Sequence, residues 1–355
     1  MKSPMTPRWA SALLAAALIL PAFGCSGSST PEGENGGDGS LKENLKGEIT
    51  IDGSSTVAPI SSKAQEKFAE AYDNVNVLVS ITGTGDGFKR FGAGETDISD
   101  ASRPIKPSEF KLCQENKIEF IEIPVAYDGL TIVVNNDNDW VDQITVEQLR
   151  TIFGADTAPK TWKDVDPNWP AEQIKIFAPG TESGTFDYFN EVVLEDAKMR
   201  SDIAPNADDN VIVNGVKGNK AAIGFFGASY YFNNEGDLKA LAVVNPETDE
   251  AVKPSAETIE NGTYAPFSRP LFIYVKKKAL DRPEVGLFVK FYLEHAAEMA
   301  SDVYYVPLPK DLYEAAKKNV NGKKTGTHYL TEEGEKRKGS LKTLFVDENL
   351  VSELD

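Results

Sequence analysis

The feature that most constrains the fold is a strand, a helix and a second strand written into residues 48–81. "EITIDGSST" (48–56) opens as a short alternating strand. Pro59 then starts a stretch in which Ile60, Ala64, Phe68, Ala71 and Tyr72 recur at helical spacing. Val75, Val77, Val79 and Ile81 alternate strictly, as in a strand with one face on a core. Two strands joined through a helix lie parallel in one sheet, so the chain belongs to the α/β class.

The same grammar continues downstream. "IEIPVAYDGLTIVVN" (121–135) reads as a long strand interrupted at Asp128-Gly129, and "RPLFIYVKK" (269–277) as another apolar strand. Between them the pattern predicts a helix around 145–153, a strand at 174–178, a helix from about 184 to 198 and a strand near 211–213. The C-terminal block reads as mostly helical. In it Val285, Phe288, Val289, Tyr292, Ala296 and Met299 form one apolar stripe, and Asp281 three residues before Glu284 suggests a capping box. The simplest architecture is two α/β lobes joined by two crossover strands, near 125–130 and 264–270. Residues 46–127 plus 266–355 would form the first lobe and 128–265 the second.

The N-terminus carries a different signal. Lys2 and Arg8 precede a charge-free apolar run from Trp9 to Phe23, short for a membrane span of about 20 residues but suited to a secretory leader. The run ends at Gly24-Cys25. A small residue directly before a cysteine resembles a bacterial lipoprotein signal, with 1–24 as signal peptide and Cys25 as the lipidated residue. Ala22 stands where such signals usually have a larger aliphatic residue. "SGSSTPEGENGGDGS" (26–40) has no core-forming residue, and 25–45 reads as a lipid-anchored flexible tether. The expected product is exported and held to a membrane, facing the periplasm or the cell exterior. With Cys25 lipidated, Cys113 has no partner and the fold has no disulfide.

Charge narrows the function. The chain has 37 Lys+Arg against 55 Asp+Glu, a net −18, which excludes a broad basic surface for nucleic acid or anionic lipid. Only two histidines occur, His295 and His328, a poor basis for a metal site or a histidine-dependent catalyst. No metal or cofactor is expected. Three segments nevertheless share one anion-friendly design of strand, Gly/Ser/Thr turn and helix start: "DGSSTVAP" (52–59), "TGTGDGFKRF" (82–91) and "PGTESGTFDYF" (179–189). A helix start exposes unpaired N–H groups, small residues let an anion approach them, and hydroxyls add donors. "DISDASRPI" (97–105) adds Arg103, whose guanidinium can fork onto an oxyanion.

These residues resemble a known family, the PstS-type substrate-binding proteins of bacterial phosphate ABC transporters. The resemblance rests on "GETDISDASRPI", "PGTESGTFDYF", "GNKAAIGFFGASYY" (218–231) and "FSRPLFIYV" (267–275), and runs from about residue 47 to at least 310. It implies a type II periplasmic-binding-protein fold, a monomer whose two lobes close on inorganic phosphate, and membrane permease subunits as partners. It also implies phosphate contacts at Ser55 and Thr56, at Thr84, and at Ser183, Gly184 and Thr185. Two positions depart from the best-known branch: Pro179 replaces an arginine, and Ser102 replaces an aspartate and is followed by Arg103. Arg103 is therefore expected to supply the missing cation. The missing carboxylate, needed to accept the proton that phosphate keeps and sulfate lacks, is expected to be Asp128, with Asp100 second and Asp187 third. The competing readings are a secreted phosphatase or hydrolase using Ser183, and a binding protein for sulfate, molybdate or arsenate. Ser183 lies outside a G-x-S-x-G elbow and no P-loop occurs.

Overall fold

Strand β1 (Gly47–Gly53) pairs in parallel with β2 (Val75–Ile81) and β3 (Ile98–Ala101) in a computed structural model that describes residues 45–355, except Glu182, Asp196 and Ala207 and the side chain of Ser229. Their connections are helices α1 (Ala58–Ala71) and α2 (Thr84–Gly92), so the strand–helix–strand reading holds. Ile60, Ala64 and Phe68 of α1 are buried, as is the Val75–Val77 side of β2. Because the three strands are parallel, their carboxyl ends open side by side onto the same rim. Helix α3 (Pro107–Glu115) follows β3. The leader, Cys25 and most of the tether lie outside the described residues.

Strand β4 (Phe120–Val134) is the spine of the molecule. All 15 of its residues are buried, as expected where a strand has neighbours on both edges and layers on both faces. The break expected at Asp128-Gly129 is absent: backbone pairing continues straight through, and the irregularity falls in the partner register at Leu271/Phe272. After β5 (Gln143–Ile144) and helix α4 (Val146–Phe153) come β6 (Lys175–Pro179), helix α5 (Gly184–Phe189), β7 (Ala204–Asn206), helix α6 (Asp209–Lys217), β8 (Ala222–Gly227) and helix α7 (Ala228–Asn233). Short strands β9 (Lys239–Ala240), β10 (Ala242–Val244) and β11 (Ala251–Val252) precede helix α8 (Ala256–Glu260), and β12 (Ser268–Lys276) returns to the spine.

The main sheet runs β2-β1-β3-β12-β4-β8-β6-β7, with β9 also on β4, and β11-β10-β5 form a small separate sheet. β12 pairs with residues 120–129 of β4, whereas β8 pairs with 130–134. One long strand thus serves both lobes and changes partners at Gly129/Leu130, next to the start of β12. Helices α9 (Pro283–Asp302) and α10 (Lys310–Asn321) cover the first lobe, and between them Val306 bridges back to Tyr127.

Four local expectations need correction. Residues 211–213 are not a strand but lie in α6, where Ile212, Val213 and Val216 are buried while Val211 is exposed. A short apolar run does not distinguish the two by periodicity, and the Asp208 side chain caps the helix by accepting from Asn210 N–H. The helix expected over 184–198 ends at Phe189 and passes into one π-helical turn, Asn190–Leu194, closed by Glu195 in left-handed backbone (φ 51°). Asp281 does not cap α9: the N-cap is Arg282, Pro283 opens the helix, and Asp281 pairs with Lys323 at 2.6 Å. Finally, residues 322–340 form no helix, so the C-terminal block is helical only in part. Cys113 is buried and free, its thiol pushed up to about 12 chiefly by burial.

Candidate anion site between the lobes

The rim of the first lobe is made by three turns. After β1 the chain bends through Ser54, Ser55 and Thr56 into α1, with Ser54 N–H donating to Asp100 C=O (3.0 Å) and Thr56 N–H to Ser54 Oγ (3.2 Å). After β2, Gly83 takes φ 87°, a conformation open to glycine, and its N–H reaches Gly53 C=O at 2.8 Å. This places Thr84 at the start of α2. After β3, Ser102 N–H donates to Thr84 Oγ1 (3.3 Å), and the two hydroxyls lie 3.1 Å apart. Three sequence-distant hydroxyl turns are thereby locked together by the parallel sheet.

The second lobe meets this rim through the turn before α5. Ser183 Oγ accepts from Thr185 N–H (3.2 Å) as an N-cap. Gly184 presses on Thr56 so closely that a Cβ there would sit 2.8 Å from Thr56 Cα. One turn on, Asp187 accepts a hydrogen bond from Ser55 Oγ at 2.9 Å. The result is a cavity of about 200 Å³ lined by Ser55, Thr56, Thr84, Ser102 and Arg103 of the first lobe and by Asp187, Glu191 and Arg269.

Arg269 is the residue that sequence reasoning missed, although it stands in the quoted "FSRPLFIYV". It sits at the start of β12, opposite Asp128 in the ladder. Its guanidinium donates to Asp128 Oδ2 (3.2 Å), Glu191 Oε2 (3.1 Å) and Thr56 Oγ1 (3.2 Å), and stacks 3.6 Å from the Tyr188 ring centre. Tyr188 is itself fixed by its hydroxyl donating to Pro266 C=O (2.7 Å). An arginine opening an otherwise apolar strand beside a crossover was the available signal.

Arg103 also lines the cavity, but both its terminal nitrogens donate to Glu109 (2.7 and 2.9 Å). Both ends of its fork are thus spent on one carboxylate, whereas Arg269 turns one terminal nitrogen onto a hydroxyl of the cavity wall, Thr56. The three carboxylates weighed from the sequence separate clearly. Asp128 is fully buried behind Arg269; burial raises its carboxyl above the usual range against the opposing pull of Arg269, and its Oδ1 finds no partner among the described residues. Asp100 faces inward, accepting from Ser61 Oγ at 2.9 Å, and is pushed up to about 8 chiefly by burial. Only Asp187 lines the cavity. Gly184 packs against Thr56, and Ser183, Gly184 and Thr185 are not part of the cavity wall.

Comparison with known proteins places this geometry. A family model described as a PBP superfamily domain matches residues 30–295. Protein SphX of Synechococcus elongatus is 46% identical over 318 residues, covering 89% of this chain and 92% of SphX. The phosphate-binding protein PstS of Staphylococcus epidermidis is 41% identical, covering 85% of this chain and 89% of its own length. Among solved structures, a possible phosphate binding protein from Planctomyces limnophilus superposes with a TM-score of 0.76 at 41% identity, covering 79% of this chain and 99% of that one.

Proposed function

The chain belongs to the PstS-type phosphate-binding proteins of the PBP superfamily, and from that membership we propose that it captures inorganic phosphate between its lobes and delivers it to an ABC permease. The observation that carries the proposal is the cavity itself: five hydroxyl residues from three turns of one lobe face a half-buried, stacked guanidinium and two carboxylates, Asp187 and Glu191, of which Glu191 is paired with that guanidinium. Hydroxyl and N–H donors neutralise an oxyanion without a large local charge, which suits a chain of net −18.

In this reading Ser55, Thr56, Thr84 and Ser102 donate to phosphate oxygens. Arg269 supplies the counter-charge, held in place by Asp128 and Tyr188. Arg103, forked on Glu109, contributes field at the edge rather than a free grip. Ser183, Gly184 and Thr185 set the approach of the second lobe. Asp187 takes the role of proton acceptor, because it lines the cavity while Asp128 and Asp100 do not: a phosphate P–OH can donate to it, whereas sulfate would meet it as one bare anion against another. Residues 46–127 with 266–355 act as one lobe and 128–265 as the other, and the partner change of β4 at Gly129/Leu130 supports that division.

No covalent chemistry is assigned. The Ser183 hydroxyl is engaged as a helix cap, and both histidines are engaged with other residues: His328 lies buried on Glu122 (3.0 Å) and His295 beside Glu298 at the surface. The receptor works as a monomer, anchored outside the cytoplasm through lipid on Cys25. Calorimetric titration with phosphate, sulfate, molybdate and arsenate tests the reading, with phosphate binding tightest. Hydrolysis of a generic phosphate ester that disappears in Ser183→Ala would overturn it in favour of an enzyme.

A further inference from the structure

Beside the main cavity lies a second one of about 130 Å³, and Arg103 lines both. Its other walls include Ile105, Lys106, Tyr329, Lys336 and Arg337, and none of its lining residues is acidic. In a chain with 55 acids to 37 bases, four cations around one small cavity is a local reversal of charge. Among the described residues, Lys106, Lys336 and Arg337 pair with no carboxylate; only Arg103 does, through Glu109.

Tyr329 closes the cavity from the protein side. It is 8% exposed, and its hydroxyl is buried with no hydrogen-bond partner among the described residues. Its ring forms part of the cavity wall, while the hydroxyl itself points inward, toward Glu122 and Tyr127. The backbone presenting these groups is fixed: Leu330 and Lys336 bridge, Arg337 N–H donates to Tyr329 C=O (2.9 Å), and Arg337 Nη1 donates to His328 C=O (3.3 Å). The same hairpin reaches the second lobe, where Lys338 pairs with Glu247 at 3.3 Å.

We propose that this cavity is a second, weaker subsite for a small tetrahedral oxyanion, which stages phosphate beside Arg103 before it enters the cleft. The inference rests on the cleft reading above and adds a route to it. An acidic receptor repels a dianion at long range; a cationic vestibule sharing a wall with the site reverses that field where the ligand enters.

The test has two arms. In stopped-flow binding of inorganic phosphate, Lys106→Gln/Lys336→Gln should lower the association rate roughly tenfold at low salt. The two proteins should converge as salt rises, with the dissociation rate unchanged. In the second arm, Arg269→Met/Asp128→Asn removes the cation of the cleft while leaving no buried charge unpaired. Inorganic phosphate should still shift the amide NMR signals of Tyr329, Lys336 and Arg337 at millimolar concentration, and should not do so once Lys106→Gln/Lys336→Gln is added. Unchanged association rates and salt dependence, or no shifts at these residues, would overturn the subsite. Wild-type protein that binds no phosphate in the cleft would instead overturn the cleft reading, and the NMR arm would then decide the subsite alone.

Discussion

Replacing Arg269 by methionine separates its two roles, because the guanidinium holds both a buried carboxylate and, in the account above, the ligand. The pair is well enclosed, with side-chain exposures of 12% for Arg269 and 0% for Asp128. Removing one partner of such a pair costs about 3–5 kcal/mol, since the other is left charged and unsatisfied. The sign of the pH dependence follows. Asp128 already has its carboxyl raised by burial, with Arg269 pulling it down. A folded carboxyl raised above its unfolded value has its full stability below the unfolded range and loses it as pH rises toward the folded value. Without Arg269 the folded value rises further, so more is lost. The variant's deficit should be small near pH 4 and grow toward pH 8. Urea unfolding at both pH values reads this directly. Adding Asp128→Asn should restore most of the stability but none of the phosphate affinity, which should stay down by about 10- to 100-fold for a lost charge-assisted contact of about 1.5–3 kcal/mol. A deficit independent of pH, or affinity recovered in the double variant, would refute the reasoning.

Three further outcomes are expected. Asp100→Asn removes a carboxyl pushed up to about 8 by burial; wild type loses up to about 1.4 kcal/mol per pH unit between the ordinary carboxylate range and pH 8, so thermal melts should increasingly favour the variant as pH rises. Asp187→Asn should narrow the preference for phosphate over sulfate in competition calorimetry while leaving the melting temperature nearly unchanged; an unaltered ratio would remove Asp187 as proton acceptor. Gly184→Val places atoms where Thr56 already sits, at 2.8 Å from a Cβ, so small-angle scattering with phosphate should show lobes that fail to close.

Much of this architecture was legible because its signals are local. The alternation at Val75–Ile81 and the turns at Ser54–Thr56, Gly83–Thr84 and Ser183–Thr185 report their own conformation, and the parallel sheet brings the first two together. The illegible parts depended on distant partners. Val211-Ile212-Val213 has no period to reveal a helix, and its burial against the sheet decides the matter. Asp128-Gly129 looks like a turn until β12 and β8 pair through it on either side. Arg103 seemed free because Glu109, six residues on, lies beside it only once α3 forms. Arg269 acquires its role from Asp128, Thr56 and Tyr188, which lie 141, 213 and 81 residues away in the chain and meet only in the folded cleft.

The central claim is that one small anion sits between the lobes on Arg269 and the hydroxyl turns. A crystal structure of the mature chain grown with phosphate tests it most directly. A tetrahedral anion is expected in the cavity of about 200 Å³, touching Arg269, Thr56 and Ser102, with one oxygen directed at Asp187. A phosphate bound elsewhere, with that cavity left to water, would contradict it.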